Sequence, residues 1–464
     1  FQTMKALCDP DNALGCGLAA IRSQFKVPAE FPADVVEAAE RAAQRKPNGH
    51  ADRTDLPFVT LDPATSTDLD QAFTIERSGS DLILRYAIAD VAWFVGDGDV
   101  IDAEAWKRGT TLYLPDGKAR LYPASLSEKA ASLLPDGQRP AVIFTVKVDE
   151  EGNVRLDGAE RALIRSTAKL AYDTVRDSDL PQDFAEFARR IDRAEDRRGA
   201  ARVDPPEQEV VAQGSNRFQL VFRPRMASED RNAALSLAAN LAIADALLAH
   251  GTGLFRVMAG PDERAVSRLR NTAKAFGLSW PTNATLTQFE RTLQASNPKH
   301  AAFMLAVRRA GNGAAYAPYA NGVVPWHAGI AATYAHATAP LRRLADRYVV
   351  RATLSIANGQ PVETAVTDAF AKLSGIMARA GNLDGQVERA VIDLAEAVML
   401  EGEIGRIFPA IVTDLDDRGA RIQLRDLPVV ARVDAHNVAP GADLQVRLES
   451  AVPDQRSVTF KRMS

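Results

Sequence analysis

The spacing of apolar and polar positions changes character three times along the chain. From Met4 to about Ala51 short helical patterns dominate, with helices predicted near 17–25 and from Ala33 to about Arg45, and Pro28 and Pro32 between them. Two readings stay open for this region, a helix-turn-helix-like unit or a plain helical arm. Apolar runs of strand length follow at 58–61, 82–88 and 142–148. They alternate with helical patterns at 229–250, 299–309, 341–356 and 364–400. In the third of these, Leu341, Leu344, Ala345, Tyr348 and Ala352 recur at helical spacing, which turns Arg342, Arg343 and Asp346 toward another face. Past Gly402 the texture becomes short strands at 403–412, 420–424, 429–433, 444–448 and 457–461, broken by Gly, Asp and Pro. That predicts a small five-stranded barrel of the oligonucleotide-binding type, with a generic β-sandwich equally compatible with the periodicity. The expected class is α+β: a short helical region over 1–51, a mixed α/β body over 52–400 and the barrel over 401–464.

At 464 residues the chain exceeds one ordinary core, so a large domain with appendages is expected. Its two cysteines, Cys8 and Cys16, exclude a disulfide framework and fit a reducing compartment. No second pair of Cys or His stands near them, so no structural zinc is expected. No apolar run of membrane-spanning length and no leader-like N-terminus stand out in the sequence, so a cytoplasmic location is expected. Met4 resembles an initiator, and residues 1–3 are set aside. A net charge of −4 decides nothing about nucleic acid, since a basic channel can be offset by an acidic exterior.

The candidate chemistry lies in two segments. An apolar strand ends at Asp62, and the loop after it, Pro63-Ala64-Thr65-Ser66-Thr67, leads to Asp68, Asp70 and Gln71. Carboxylates brought together repel and call for cations, and hard oxygen donors on a loop select Mg²⁺ or Mn²⁺ over zinc. Two such ions can hold the attacking and leaving oxygens of a phosphodiester. A solvated acidic turn is the plain alternative, and an EF-hand is excluded by the missing Gly and Glu positions. The second segment runs from His327 to Asp346. Thr338 and Pro340 predict a helix start just before Arg342 and Arg343, which would make a phosphate clamp. Standing alone, a surface helix with solvated arginines and structural histidines explains it as well.

Taken together, the acidic loop, Ala89-Asp90-Val91-Ala92-Trp93, the stretch Arg108-Gly109-Thr110-Thr111-Leu112-Tyr113-Leu114-Pro115 and the segment from Tyr334 to Asp346 resemble the ribonuclease II and ribonuclease R family. The resemblance covers about 54–400 and the barrel, which looks like the family's S1 domain. It implies a catalytic domain with a funnel to a buried site. The implied activity is magnesium-dependent, processive 3′-to-5′ hydrolysis of single-stranded RNA to nucleoside 5′-monophosphates, without strong sequence specificity, by a monomer with no protein partner or membrane. By the same resemblance Asp62, Asp68, Asp70 and Gln71 stand at metal positions and Asp70 is the residue chemistry depends on. Arg342 grips the scissile phosphate and belongs with Asp70 and Tyr172, a second tyrosine close to the 3′ end, to the catalytic set, while Arg343, Tyr113, which holds the terminal nucleotides, and Glu388, which approaches from a late helix, contact the RNA. Three departures are visible. Gln71 replaces a fourth aspartate, about 50 residues precede the body where the family carries two cold-shock domains, and Glu209 or Val210 falls where a base-clamping phenylalanine is expected. Loss of a metal through Gln71 would leave a catalytically weakened RNA-binding protein, which is the alternative reading.

Overall fold

The computed structural model describes residues 13–201, 207–212, 218–223 and 225–463; Cys8 and the first residues of the N-terminal region lie outside them. The first part of the body contributes the strands β1 (Ala51–Asp52), β2 (Phe58–Asp62), β3 (Gln71–Ser78), β4 (Asp81–Ala89), β5 (Leu112–Leu114), β6 (Gly117–Ala119), β7 (Arg139–Val148), β8 (Val154–Ile164) and β9 (Ser166–Ala171). Seven of them form one sheet in the order β1-β8-β7-β4-β3-β2-β9, while β5 and β6 pair as a separate hairpin. The apolar runs become strands because helices cover them: Phe58, Tyr86, Phe144 and Val146 are almost fully buried in one continuous core.

The topology places the site. β2 ends at Asp62, its antiparallel neighbour β3 starts at Gln71, and parallel β9 ends beside Asp62 with Tyr172 next in the chain. Three candidate residues therefore leave the sheet at the same end. The helix Ala227–Ala249 packs on β4, β7 and β8. Contrary to the sequence expectation, its length and composition would let it cross a membrane, but most of it is buried inside the protein, as the core helix of a globular body.

The helices Ala13–Gln24 and Ala33–Ala43 bury their apolar faces in different cores. Leu14, Leu18 and Ile21 of the first pack against Val387, Val391 and Leu394 of the long helix Thr364–Leu400, whereas Ala39 and Ala42 of the second join the main core.

At the C-terminus, Ile407–Asp416, Gly419–Leu424, Val430–Asp434, Asp443–Val452 and Ser457–Arg462 close a barrel in the order first, second, third, fifth, fourth. This is the predicted OB-type architecture rather than a sandwich. Its first strand starts later than expected because Glu401–Glu403 forms a helical turn and Gly405 takes a φ of +88°.

Glu396, on the long helix, joins the barrel to the body. Its Oε1 accepts from Val430 N at 3.0 Å and from Gln208 Nε2 at 2.6 Å. Burial raises its carboxyl to about 8 despite these bonds. As pH rises from the ordinary value of 4.5 toward 8, the unfolded chain releases this proton first, so stability falls across that window. Glu396→Gln keeps the acceptor and cannot ionise. It is expected to match wild type near pH 4 and to exceed it by on the order of 3 kcal/mol above about pH 8 in urea unfolding. Equal midpoints at both pH values would show the carboxyl to be solvated.

Candidate active site

The acidic loop is held by its backbone and by the β5–β6 hairpin. Ser132 Oγ donates to Thr67 O at 2.7 Å and accepts from Leu69 N at 2.9 Å, and Ala89 N donates to Asp70 O at 2.9 Å. The three aspartates then meet different partners. Asp68 accepts from the Tyr113 hydroxyl at 2.9 Å and pairs with Lys118 Nζ at 3.2 Å. Asp70, 3% exposed, accepts from Leu341 N at 2.7 Å and from Arg342 Nε at 2.8 Å. Burial raises its carboxyl to about 6, with Arg342 holding it from going higher. Asp62 makes no ion pair among the described residues, and burial, with the charge of Asp70 next, raises it to about 7.

The arginine segment differs from its prediction. The helix begins at Leu344, and Arg343, its N-cap, is extended at φ −128° and ψ 124°. Cross-chain bonds prevent an earlier start: Thr111 N and Thr110 Oγ1 both donate to Arg342 O at 2.9 Å, and Leu344 N donates to Gly109 O at 3.0 Å. Gly109 has a φ of +72°, and a Cβ there would lie 2.8 Å from Ala380 Cβ. Arg342 is thus presented by a loop clamped to the Gly109-Thr110-Thr111 stretch, not by a helix N-terminus. Only its Nε is engaged among the described residues, and the side chain is 42% exposed, so its two terminal nitrogens remain as donors. Arg343 turns away onto its helical neighbour Asp346, at 2.8 Å, and is a structural pair.

Gln71 is not aimed as a ligand. Its Nε2 donates to Thr338 O at 2.5 Å and its Oε1 accepts from the Tyr86 hydroxyl at 2.8 Å, an orientation dictated by a carbonyl that can only accept. Glu388 is exposed on the helix Thr364–Leu400, in electrostatic range of Glu207, Asp384, Arg308 and Glu209. Asp90 of the Ala89–Trp93 motif is a structural residue, buried on His50 Nε2 at 2.9 Å.

A cavity of about 570 Å³ opens beside the loop, lined among others by Gln71, Tyr172, Glu209, Arg223, Asn232 and Arg308. Glu209 faces this space and Val210 packs into the barrel-side core, so neither position supplies a base-clamping ring. Tyr172 accepts from Asn232 Nδ2 at 3.0 Å, and burial, then Asp62, pushes its phenol up, which keeps it neutral. Asn232 also donates to Leu61 O at 3.2 Å, Ser236 shares a 2.8 Å bond with Thr338, and Asn240 accepts from Ala337 N at 3.0 Å. Sequence reasoning missed these three residues. Their signal is a polar position every fourth residue in an otherwise apolar helix, which lines one helical face. Near the barrel, Arg309, Arg432 and Arg389 stand close enough to Arg421 to add to the lowering of its pKa by burial.

Among the described residues no three His, Cys, Asp or Glu side chains converge as a closed metal site. The donor chemistry nevertheless fits a hard cation at Asp62, whose carboxyl makes no ion pair among the described residues and is raised by burial first and then by the charge of Asp70.

Comparison with known proteins accords with this geometry. The RNB domain matches residues 50–358, and the RNase II-type exonuclease C-terminal S1 domain matches residues 406–463. Ribonuclease R of Aquifex aeolicus is 27% identical over 431 residues, covering 87% of this chain and 61% of that protein. Exoribonuclease 2 of Yersinia pseudotuberculosis is 29% identical over 435 residues, covering 88% and 65%. The chain therefore spans less than two thirds of the length of these curated relatives. The solved structure of Mycoplasma genitalium RNase R in complex with ribose methylated single-stranded RNA shares the fold at a TM-score of 0.86 and 21% identity, covering 98% of this chain and 78% of that one.

Proposed function

The chain belongs to the RNB-domain family, and on that footing we propose that it shortens single-stranded RNA from the 3′ end by metal-dependent hydrolysis, releasing nucleoside 5′-monophosphates. The observation that carries this reading is the Asp70–Arg342 pair: a buried carboxylate holds the arginine by Nε and leaves its two terminal nitrogens open to a phosphate. A guanidinium fixed in this way needs no reorganisation as charge builds on the phosphoryl oxygens, and its attraction strengthens with that charge.

The surroundings support a strand read without regard to sequence. Tyr172 lines the cavity, and Tyr113 is 51% exposed with its hydroxyl anchored on Asp68, so its ring face is available to a base. Stacking contributes roughly 1–3 kcal/mol to binding for any base. The arginines around Arg421 suit a phosphate backbone running toward the cavity. Asp62, with Asp68 and Asp70, would hold a divalent cation, which when bound supplies an activated water and neutralises phosphate charge.

The second reading, an RNA-binding protein with weakened catalysis, is favoured by one observation, the engagement of Gln71 with Tyr86 and Thr338 where a further ligand is expected. One experiment separates the two. With Mg²⁺ or Mn²⁺, 5′-labelled linear RNA is expected to give a ladder shortening from the 3′ end, circular RNA to stay intact and chelation to stop the reaction. Binding without shortening under either ion favours the second reading, and scattered cuts in the circle reject an exonuclease.

A further inference from the structure

The β5–β6 hairpin brings to the acidic loop a cation that the proposed reaction does not use. Lys118 Nζ lies 3.2 Å from Asp68 Oδ1 and 2.7 Å from Glu128 Oε1, with only 18% of its side chain exposed. Glu128 has further partners, Arg120 at 3.1 Å and Thr67 Oγ1 at 2.9 Å. Burial works against the charge of Glu128, yet its bonds from Lys118, Arg120 and Thr67 hold its carboxyl at about 2. Glu128 is thus an ionised anchor for the ammonium, and with Arg120 sharing Glu128, Lys118 is left to balance Asp68. Asp70 faces Arg342 in the same manner. Gln71 carries no charge and has both ends of its amide engaged. Among the described residues, Asp62 is the loop carboxylate that makes no ion pair.

We propose that Lys118 is a built-in counter-ion to Asp68, and that the acidic loop of this chain accordingly takes one divalent cation, centred on Asp62, rather than a pair. The proposal rests on the reading of this loop as the hydrolytic centre. Its physical basis is that a second divalent ion at Asp68 would sit against a fixed ammonium, with twice the repulsion of two unit charges, and would find one carboxylate oxygen taken by Lys118 and the other by the Tyr113 hydroxyl. Lys118 is a positioning residue in this scheme: it fixes Asp68, and Asp68 in turn fixes the Tyr113 hydroxyl.

The test is Mn²⁺ binding to the full chain without RNA, followed by calorimetry. Wild type and Lys118→Arg are expected to bind one ion. Lys118→Met is expected to take a second ion or to bind at least about tenfold more tightly, since a carboxylate has been freed. Two ions in wild type, no binding at all, or an unchanged isotherm in a Lys118→Met protein that melts as wild type does would each overturn the proposal. Should Lys118→Met fail to fold, the wild-type count and Lys118→Gln decide. RNA shortening by the same preparation keeps the two readings apart. One bound ion with no shortening rejects the hydrolase and leaves the counter-ion standing, whereas shortening with two bound ions rejects the counter-ion alone.

Discussion

Asp70→Asn is expected to lower the rate of 3′ shortening by at least about 1,000-fold, about 4 kcal/mol in barrier, with affinity for single-stranded RNA within about threefold of wild type. Asp70 accepts from two donors, Leu341 N and Arg342 Nε, one on each oxygen. An asparagine keeps one acceptor and turns an amino group toward the other donor, so one contact becomes donor against donor and the counter-charge of Arg342 is lost. On the proposed reading RNA affinity would rest on other groups, for which the arginines near the barrel and the exposed ring of Tyr113 are the candidates. Single-turnover rates and fluorescence anisotropy measure the two quantities separately. Retention of more than about a tenth of the rate, a loss under 1.4 kcal/mol, would remove Asp70 from the catalytic set.

For Arg342→Ala the expected loss is about 100- to 1,000-fold in kcat, with a much smaller change in KM, because the open guanidinium donors gain strength as the phosphoryl charge develops. Lysine should restore less than about a tenth of the lost rate. An ammonium cannot bond Asp70 through one nitrogen while presenting a planar fork to phosphate. Removing the cation also leaves Asp70 buried without its compensating charge, so its carboxyl should rise beyond about 6. The acid limb of the pH–rate profile is then expected to move to higher pH in the alanine variant. A variant with wild-type kcat and a raised KM would make Arg342 a binding residue only.

Much of the architecture was legible before the fold. The long helix Thr364–Leu400, the apolar strands of the sheet and, but for the later start of the first, the five short C-terminal strands occur close to where periodicity put them, since burial of one face repeats at every turn or every second residue. Errors arose where distant contacts override local preference. The helix expected from Leu341 begins at Leu344 because Gly109 and Thr111 claim its first peptide groups. Likewise the apolar segment Ala227–Ala249 looked ordinary in sequence, although its regularly spaced Asn232, Ser236 and Asn240 bind together Leu61, Tyr172 and the Ala337-Thr338 stretch.

From the sequence alone follow the elements, the acidic loop at the end of β2 and the arginine doublet, because each is written in neighbouring residues. Only the tertiary structure decides the pairings. Asp70 goes to Arg342, Asp68 to Lys118 and Arg343 to Asp346, while Asp62 is left without an ion pair among the described residues and the Gln71 amide lies between Tyr86 and Thr338. Hydrogen bonds and close ion pairs act over about 3–4 Å and in fixed directions. Which acid meets which base therefore depends on how β2, β3, β9 and the β5–β6 hairpin are set side by side, and residues far apart in the chain carry no local mark of that arrangement.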